Sequence, residues 1–352
     1  MTRYEFGALA VIGVLSFLLL SCDPQKSTVK KDFPISQNLT AHQIKLQEVM
    51  KMGGIYKTDD YFVLRDVYDN AENLFYVYSA SDFKFLYSFC RRGNGPGEFL
   101  MPTVIKNMPD NKFAFRDHAT DTYAMYLLTD SAAVLLGSER HPVTDGRYCW
   151  EMNYIAEGQT LLKKMNAKSS SRGIWNLRQG YVLDTLPNTF DLDRKLEDDY
   201  YTEFDDYWIS AWGTSCAFAY FFIDRIEFAE VRDGKLKPGN SVGMNTCPDF
   251  YLFTDSGSSG KYPYNVDNNI VYYETLSSTS QGVYALYFGM PWGEMGKRHS
   301  SQIEVYDWNG IPQKKIYCDK EVSDMVVDEE QKRIYCINPD LYEDAIFFFD
   351  YE

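Results

Sequence analysis

From about residue 41 onward the chain alternates short apolar runs with clusters of Gly, Asp, Asn and Pro, and the runs are rich in Tyr, Phe, Val and Ile. Aromatic and β-branched side chains suit a pleated, half-buried surface, and the clusters supply the turns between strands. Only Leu39–Met52 has a helical look, and a strand accommodates it equally well. Three segments repeat one motif of strand, tight turn and strand. Leu74–Tyr78 leads through Asp82 to Phe83–Tyr87, Ile226–Glu230 leads into Asp233-Gly234, and Ile303–Asp307 leads through Asn309-Gly310 to Lys314–Tyr317. Asn-Gly and Asp-Gly mark hairpins because both residue types tolerate positive φ.

Equivalent strands begin near Leu74, Thr122, Gly173, Ile226, Ile303 and Ala345, at steps of 48, 51, 53, 77 and 42 residues. Most steps match the ~40–50 residues of one propeller blade. The long step holds an insertion rich in Ser, Gly, Asn and Tyr around Phe250–Asn269. The pattern predicts an all-β fold, a six-bladed β-propeller with four-stranded blades over residues 41–352. The last unit is one strand short, and residues around Leu39–Val49 would supply its outer strand, closing the ring and removing exposed edges.

Ahead of this body an apolar run from Phe6 to Leu20 ends in Ser21-Cys22. Its length is short of the roughly 20 residues that span a bilayer and fits a signal-peptide core. Leu19-Leu20-Ser21-Cys22 looks like a bacterial lipobox, which makes residues 1–21 a signal peptide and Cys22 the lipidation site. A secretory signal that happens to hold a cysteine, or an uncleaved anchor, is the other reading, and Glu5 lowers the positive charge expected at the start. Residues 22–40 are polar, with three lysines and Pro24 and Pro34, and read as a flexible tether. The expected address is the cell envelope, as a membrane-anchored lipoprotein of the outer membrane facing the periplasm or the surface.

Net charge sharpens the picture by exclusion. With 35 Lys+Arg against 50 Asp+Glu, the net charge of -15 would repel nucleic-acid phosphates and suits a monomer. Beyond Cys22, six cysteines remain, at spacings that match no metal motif. Disulfides are permitted outside the cytosol, but buried free thiols are the favoured reading, since Cys90, Cys318 and Cys336 sit at the ends of strand-like runs.

The most specific local signal is Arg91–Pro102, with three glycines and two prolines in twelve residues. It fails as a phosphate-binding loop, because Glu98 takes the place of a third spaced glycine and no Gly-Lys-Ser/Thr follows. Gly93-x-Gly95-Pro96-Gly97-Glu98-Phe99 followed by Pro102 is similar to the inter-blade loop of the TolB-like six-bladed β-propeller lipoproteins of Gram-negative bacteria, relatives of NHL-repeat propellers. That resemblance implies the fold and the envelope location and brings no catalytic residues. In the structural reading Gly93, Gly95, Pro96, Gly97, Phe99 and Pro102 form a rigid crossover between blades, with Glu98 capping backbone N–H groups. In the functional alternative Arg91, Arg92 and Glu98, with Asp117 and His118, line the mouth of the central channel.

Catalytic motifs are missing: the four histidines show no ligand spacing, and Asp191-Leu-Asp193 starts like a calcium loop that Lys195 breaks. The richest segment is Asp191–Trp212, where carboxylates alternate with aromatic rings. Rings stack on sugars and carboxylates hold hydroxyls or cationic side chains, so Tyr200, Tyr201, Tyr207, Trp208, Trp212, Asp205 and Asp206 are the candidate ligand-binding residues. Tyr262, Tyr264, Tyr284, Tyr287 and Trp292 form a second candidate surface. The favoured function is a non-catalytic binding or scaffolding module for an envelope protein or glycan, with no cofactor and no metal. The alternative is an envelope hydrolase or lyase with a metal or polar site at the channel mouth, where Asp117, His118 and Glu98 are the first suspects.

Overall fold

In the computed structural model, residues 28–140, 148–165, 170–176, 181–186, 207–244 and 266–352 are described. Up-down antiparallel meanders follow one another along the chain. The first is β4 (Met52–Lys57), β5 (Tyr61–Asp66), β6 (Asn73–Ser79) and β7 (Phe85–Arg91), after the short N-terminal strands β1 (Thr28–Val29), β2 (Ile35–Leu39) and β3 (His42–Lys45). Next come β8 (Pro102–Lys106), β9 (Lys112–Asp117), β10 (Thr122–Leu128) and β11 (Ala133–Arg140), then β12 (Tyr148–Ala156), β13 (Gln159–Met165), β14 (Ser170–Asn176) and β15 (Tyr181–Leu186). They are followed by β16 (Tyr207–Trp212), β17 (Ser215–Tyr220), β18 (Arg225–Arg232) and β19 (Lys235–Gly243). The chain ends with β20 (Ile270–Ser278), β21 (Gly282–Pro291), β22 (Ser301–Asp307) and β23 (Pro312–Cys318), then β24 (Asp324–Asp328), β25 (Arg333–Ile337) and β26 (Ala345–Asp350).

This is an all-β protein with a β-propeller arrangement. Where the sequence leads one to expect six separate sheets, hydrogen bonding among the described residues gives five. Four of them each hold a single meander; the fifth has eight strands, because β8 and β12 pair in parallel at Ile105–Met152 and Lys106–Asn153 and so join two meanders. First strands of successive meanders adjoin one another, β8 to β12, β16, β20, β24 and then β4. The strand starts proposed from the repeat fall at or close to the starts of β6, β10, β14, β18, β22 and β26, the third strand of each meander.

The sheet of β24, β25 and β26 is completed by β3, antiparallel to β26 with Ile346 opposite Ile44. The segment read as a tether is partly built into the body: β1 pairs in parallel with β19, and β2 with β23. Their polar composition misleads because they add to outer edges, where most β2 side chains stay exposed while the backbone covers open N–H and C=O groups. Between them Lys31 is docked, its Nζ 2.6 Å from Asp224 Oδ1 and 2.8 Å from Glu304 Oε2, over the Tyr287 ring.

The core lies between sheets, where faces of neighbouring meanders meet. Phe75, Phe89, Phe113 and Phe115 pack the first meander on the second, and Phe62 and Tyr335 pack the last on the first. Such ring pairs add about 0.5–1.5 kcal/mol each beyond the area they bury. Cys90, Cys216, Cys318 and Cys336 are free and buried. Burial pushes the Cys90 and Cys318 thiols up to about 12, so neither is a thiolate at neutral pH.

Candidate functional site

The first strand of a meander points one set of side chains at the central axis, and here that set is polar. Lys106, after the apolar Val104-Ile105 of β8, reaches Glu151 Oε1 of β12 at 3.3 Å. Glu151 Oε2 accepts the Ile209 N–H of β16 at 2.7 Å. Asp324 of β24 accepts from Thr275 Oγ1 of β20 at 3.2 Å and from the Ile55 N–H of β4 at 3.4 Å. Asn107 donates to the Ala211 carbonyl at 2.7 Å and to Ser278 Oγ at 3.0 Å, and Ser210 bonds Ser278 at 2.8 Å. The axial belt thus ties the first strands together through polar side chains that bond one another and neighbouring backbone groups.

Its electrostatics favour fixed charges over proton transfer. Burial works against the Lys106 ammonium, but Glu151, Asp324 and Tyr56 more than offset it and hold its pKa above the ordinary lysine value. Burial raises the Tyr56 pKa, with Asp324 and Glu151 adding to the rise and Arg65 and Lys106 opposing it. A lysine base or nucleophile needs the opposite shift. Among the described residues no group of three His, Cys, Asp or Glu side chains gathers as metal ligands would.

Where the first strands end, the belt opens into a cavity of about 370 Å³. Its wall carries Asp59, Asp328, Glu329 and Glu330 against Lys57, with Tyr154 and Trp212 among them. Trp212 is 44 % exposed, so a flat ring stands beside carboxylates at the rim. Asp328 is buried and occupied, its Oδ1 capping the N–H groups of Glu330 and Gln331 at 3.1 Å each and its Oδ2 3.6 Å from Lys57. Glu329 accepts from Ser280 Oγ at 2.8 Å, and Glu330 is exposed.

The sequence-derived candidates divide. Trp212 lies at this rim. Trp208 is a structural side chain whose indole N–H donates to the Tyr273 carbonyl at 2.9 Å. Tyr207 is fully buried against Phe218 and Tyr220, which takes it off any binding surface: alternation along β16 turns it into the core. Tyr200, Tyr201, Asp205 and Asp206 lie outside the described residues, as do Cys22, Tyr262 and Tyr264. Of the second surface Tyr284 is buried, Tyr287 carries Lys31, and Trp292 is exposed beside Phe222.

The residues proposed for the channel mouth also separate. Glu98 is folded into its own loop, accepting the Gly95 N–H at 2.8 Å, with Arg91 Nε 3.6 Å away and largely exposed. A Cβ on Gly93 would collide with the Glu98 carboxylate, and Gly97 sits at φ 76°, so both positions call for glycine. Phe99 is buried edge-on to Phe115 at 4.9 Å and anchors the crossover from β7 to β8. Asp117 is fully buried, accepting the N–H groups of Leu100 at 2.7 Å, Met101 at 2.6 Å and Thr120 at 2.9 Å. Arg92 and His118, with Pro102, line a different cavity at the start of β8. Lys106, Glu151, Asp324, Tyr154, Glu329 and Glu330 escaped the sequence reading; the available signal was a charge inside an otherwise apolar first strand.

No family model matches the chain, and none of the curated proteins matches it in sequence. Solved structures do resemble it. A "Putative exported protein" from Bacteroides fragilis superposes with a TM-score of 0.59 at 15 % identity, covering 91 % of this chain and 99 % of that one. A member of the duf4221 family from Bacteroides vulgatus gives a TM-score of 0.56 at 11 % identity, covering 89 % and 96 %. The β-propeller domain of Cps50 (Swd1) from Myceliophteria thermophila gives 0.48 at 8 % identity, covering 88 % and 100 %. The first two matches show a shared fold and name neither the TolB-like nor the NHL family.

Proposed function

We propose that the protein is a lipid-anchored, non-catalytic binding module of the cell envelope that holds a protein or glycan partner at the rim of its central channel. In this reading the body is a six-bladed propeller: the eight-stranded sheet counts as two blades, and β3 closes the ring on β26. The lipobox at Cys22 supports the anchor, and the exported protein of Bacteroides fragilis, of like fold, agrees with an envelope address.

The single observation that carries the reading is the rim cavity, where exposed Trp212 and Glu330 stand beside Tyr154, Asp59 and Glu329 over a belt in which Lys106 is paired with Glu151 and Asp324 accepts from Thr275. A ring beside carboxylates suits a cationic side chain or a polyhydroxylated sugar, through cation–π, stacking and charge-assisted hydrogen bonds. Lys106, held charged beside Glu151, and Asp117, saturated by amide donors, weaken the hydrolase or lyase alternative.

Tryptophan fluorescence of the purified protein, titrated with a lysine-rich peptide and with soluble peptidoglycan fragments, tests it. One of the two probes is expected to perturb the signal saturably, and Glu330→Gln is expected to weaken it about three- to tenfold, the effect of one partly screened contact. Saturable binding of neither probe would sink this reading.

A further inference from the structure

A second cavity, of about 610 Å³, sits at the opposite end of β8 from the rim and has no part in the proposed function. Thr103 lines one and Asn107 the other, four strand steps or roughly 13 Å apart. The volume lies within the ~300–1,000 Å³ of ordinary small-molecule sites. Its wall is half apolar, with Val67, Leu100, Met101 and Pro102, and it holds two guanidinium groups, those of Arg65 and Arg92.

These two arginines bond only to backbone carbonyls. Arg65 donates to Pro102 O at 3.0 Å and Gly53 O at 3.1 Å, and Arg92 donates to Asp66 O at 2.8 Å. The Nε atom of each is buried without a hydrogen-bond partner. A chain with 50 acidic residues has no shortage of carboxylates, yet the one on the cavity wall, Asp66, and the neighbouring Asp117 are spent elsewhere. Asp66 accepts the N–H groups of Met50 at 2.8 Å, Lys51 at 3.2 Å and Tyr68 at 2.8 Å, and Asp117 is held by the Leu100, Met101 and Thr120 amides. His118 Nε2 is engaged with Thr103 Oγ1 at 3.0 Å. Two arginines against the one carboxylate of Asp66 leave these three side chains one positive charge in excess.

We propose that this cavity binds a small monoanionic organic acid, its carboxylate on the Arg65 and Arg92 guanidinium groups and its apolar body against Val67, Leu100, Met101 and Pro102. Arginine suits the role because its planar fork meets a carboxylate with paired N–H donors. One added negative charge balances that excess, and the apolar half rewards a hydrocarbon tail.

Calorimetric titration of the purified protein with acetate, butyrate and hexanoate tests the site, with hexanol as the uncharged control. Affinity is expected to rise with chain length, by up to about fourfold per CH₂, and hexanol is expected not to bind. Arg92→Gln is expected to weaken hexanoate at least about tenfold, the loss of one charge-assisted bond. Because Arg92 also bonds the Asp66 carbonyl, a second variant guards against misfolding: Met101→Glu, at a residue 58 % exposed, places a carboxylate on the wall and is expected to abolish binding. Absence of hexanoate binding at concentrations on the order of tens of millimolar, or binding unchanged in Met101→Glu, would overturn the proposal.

Discussion

Lys31 belongs to a segment whose polarity reads as a tether, yet its ammonium joins Asp224 and the fully buried Glu304, whose carboxylate also accepts from the Tyr273 and Tyr306 hydroxyls and has Lys315 3.5 Å from its other oxygen. Removing one partner of a buried ion pair leaves the other charge without compensation, which costs about 3–5 kcal/mol. Lys31→Ala should therefore lower the urea-unfolding free energy by about that amount, less what Lys315 recovers, and Glu304→Gln in the same chain should return part of it. At this scale the sequence was least legible. A lysine between Lys30 and Asp32 gives no sign that acidic and aromatic residues some 200 positions away will enclose it. The same holds for Lys106, whose partners Glu151 and Asp324 become neighbours only when first strands meet at the axis.

Buried protons set a second expectation. Burial lifts the Cys90 and Cys318 thiols from 9.0 to about 12, and burial with the Asp130 hydrogen bond lifts Tyr61 from 10.0 to about 12. The folded chain holds these protons more tightly than the unfolded one. Their stabilisation is thus complete below pH 9 and lost between pH 9 and about 12. Urea midpoints should stay level from neutral pH to about 9 and then fall. Midpoints that stay level up to about pH 12 would contradict the burial of these groups.

Elements were far more legible than contacts. Turn residues and aromatic runs located the third strands from Thr122 to Ala345 because hairpins are written locally, in Asp233-Gly234 and Asn309-Gly310. The Gly93–Phe99 crossover was readable for the same reason: its glycines answer to Glu98 a few residues away. Edge strands were not, since β1 and β2 pair with outer strands hundreds of residues distant and need no apolar pattern of their own. The two kinds of added strand should differ in consequence. Ile44→Pro removes a ladder donor in β3, the edge strand that pairs antiparallel with β26 and brings the chain's two ends into one sheet, and should lower global stability by at least about 2 kcal/mol. Gln37→Pro, in a strand laid on an outer edge, should cost about 1 kcal/mol or less. Hydrogen exchange at Ile346 and Phe348 checks the first: exchange as slow as in the unaltered chain would contradict a stabilising role for the β3–β26 pairing.

Across the whole molecule, the arrangement gathers residues from distant meanders onto one axis and gives that axis two unlike ends. One end is acidic and aromatic, with Trp212, Glu329 and Glu330; near the other, Arg65 and Arg92 stand among apolar side chains. A propeller of this kind decides nothing about function by itself, and the rim's chemistry does. Half of that rim was visible beforehand, because Trp212 closes a conspicuous run of rings and carboxylates. The other half comes from β12 and the turn after β24, which only folding brings beside it.

The most direct test of the central claim is the thermal unfolding midpoint of the protein and of Trp212→Ala, each with and without the lysine-rich peptide or peptidoglycan fragment that binds in the fluorescence titration. A ligand at 100 times its dissociation constant adds about 2.7 kcal/mol, a readable shift in midpoint. The rim account predicts that shift in the unaltered protein and its loss, or near loss, in Trp212→Ala, whose own midpoint should barely move because the ring is 44 % exposed. An equal shift in both proteins would place the partner elsewhere and contradict the account.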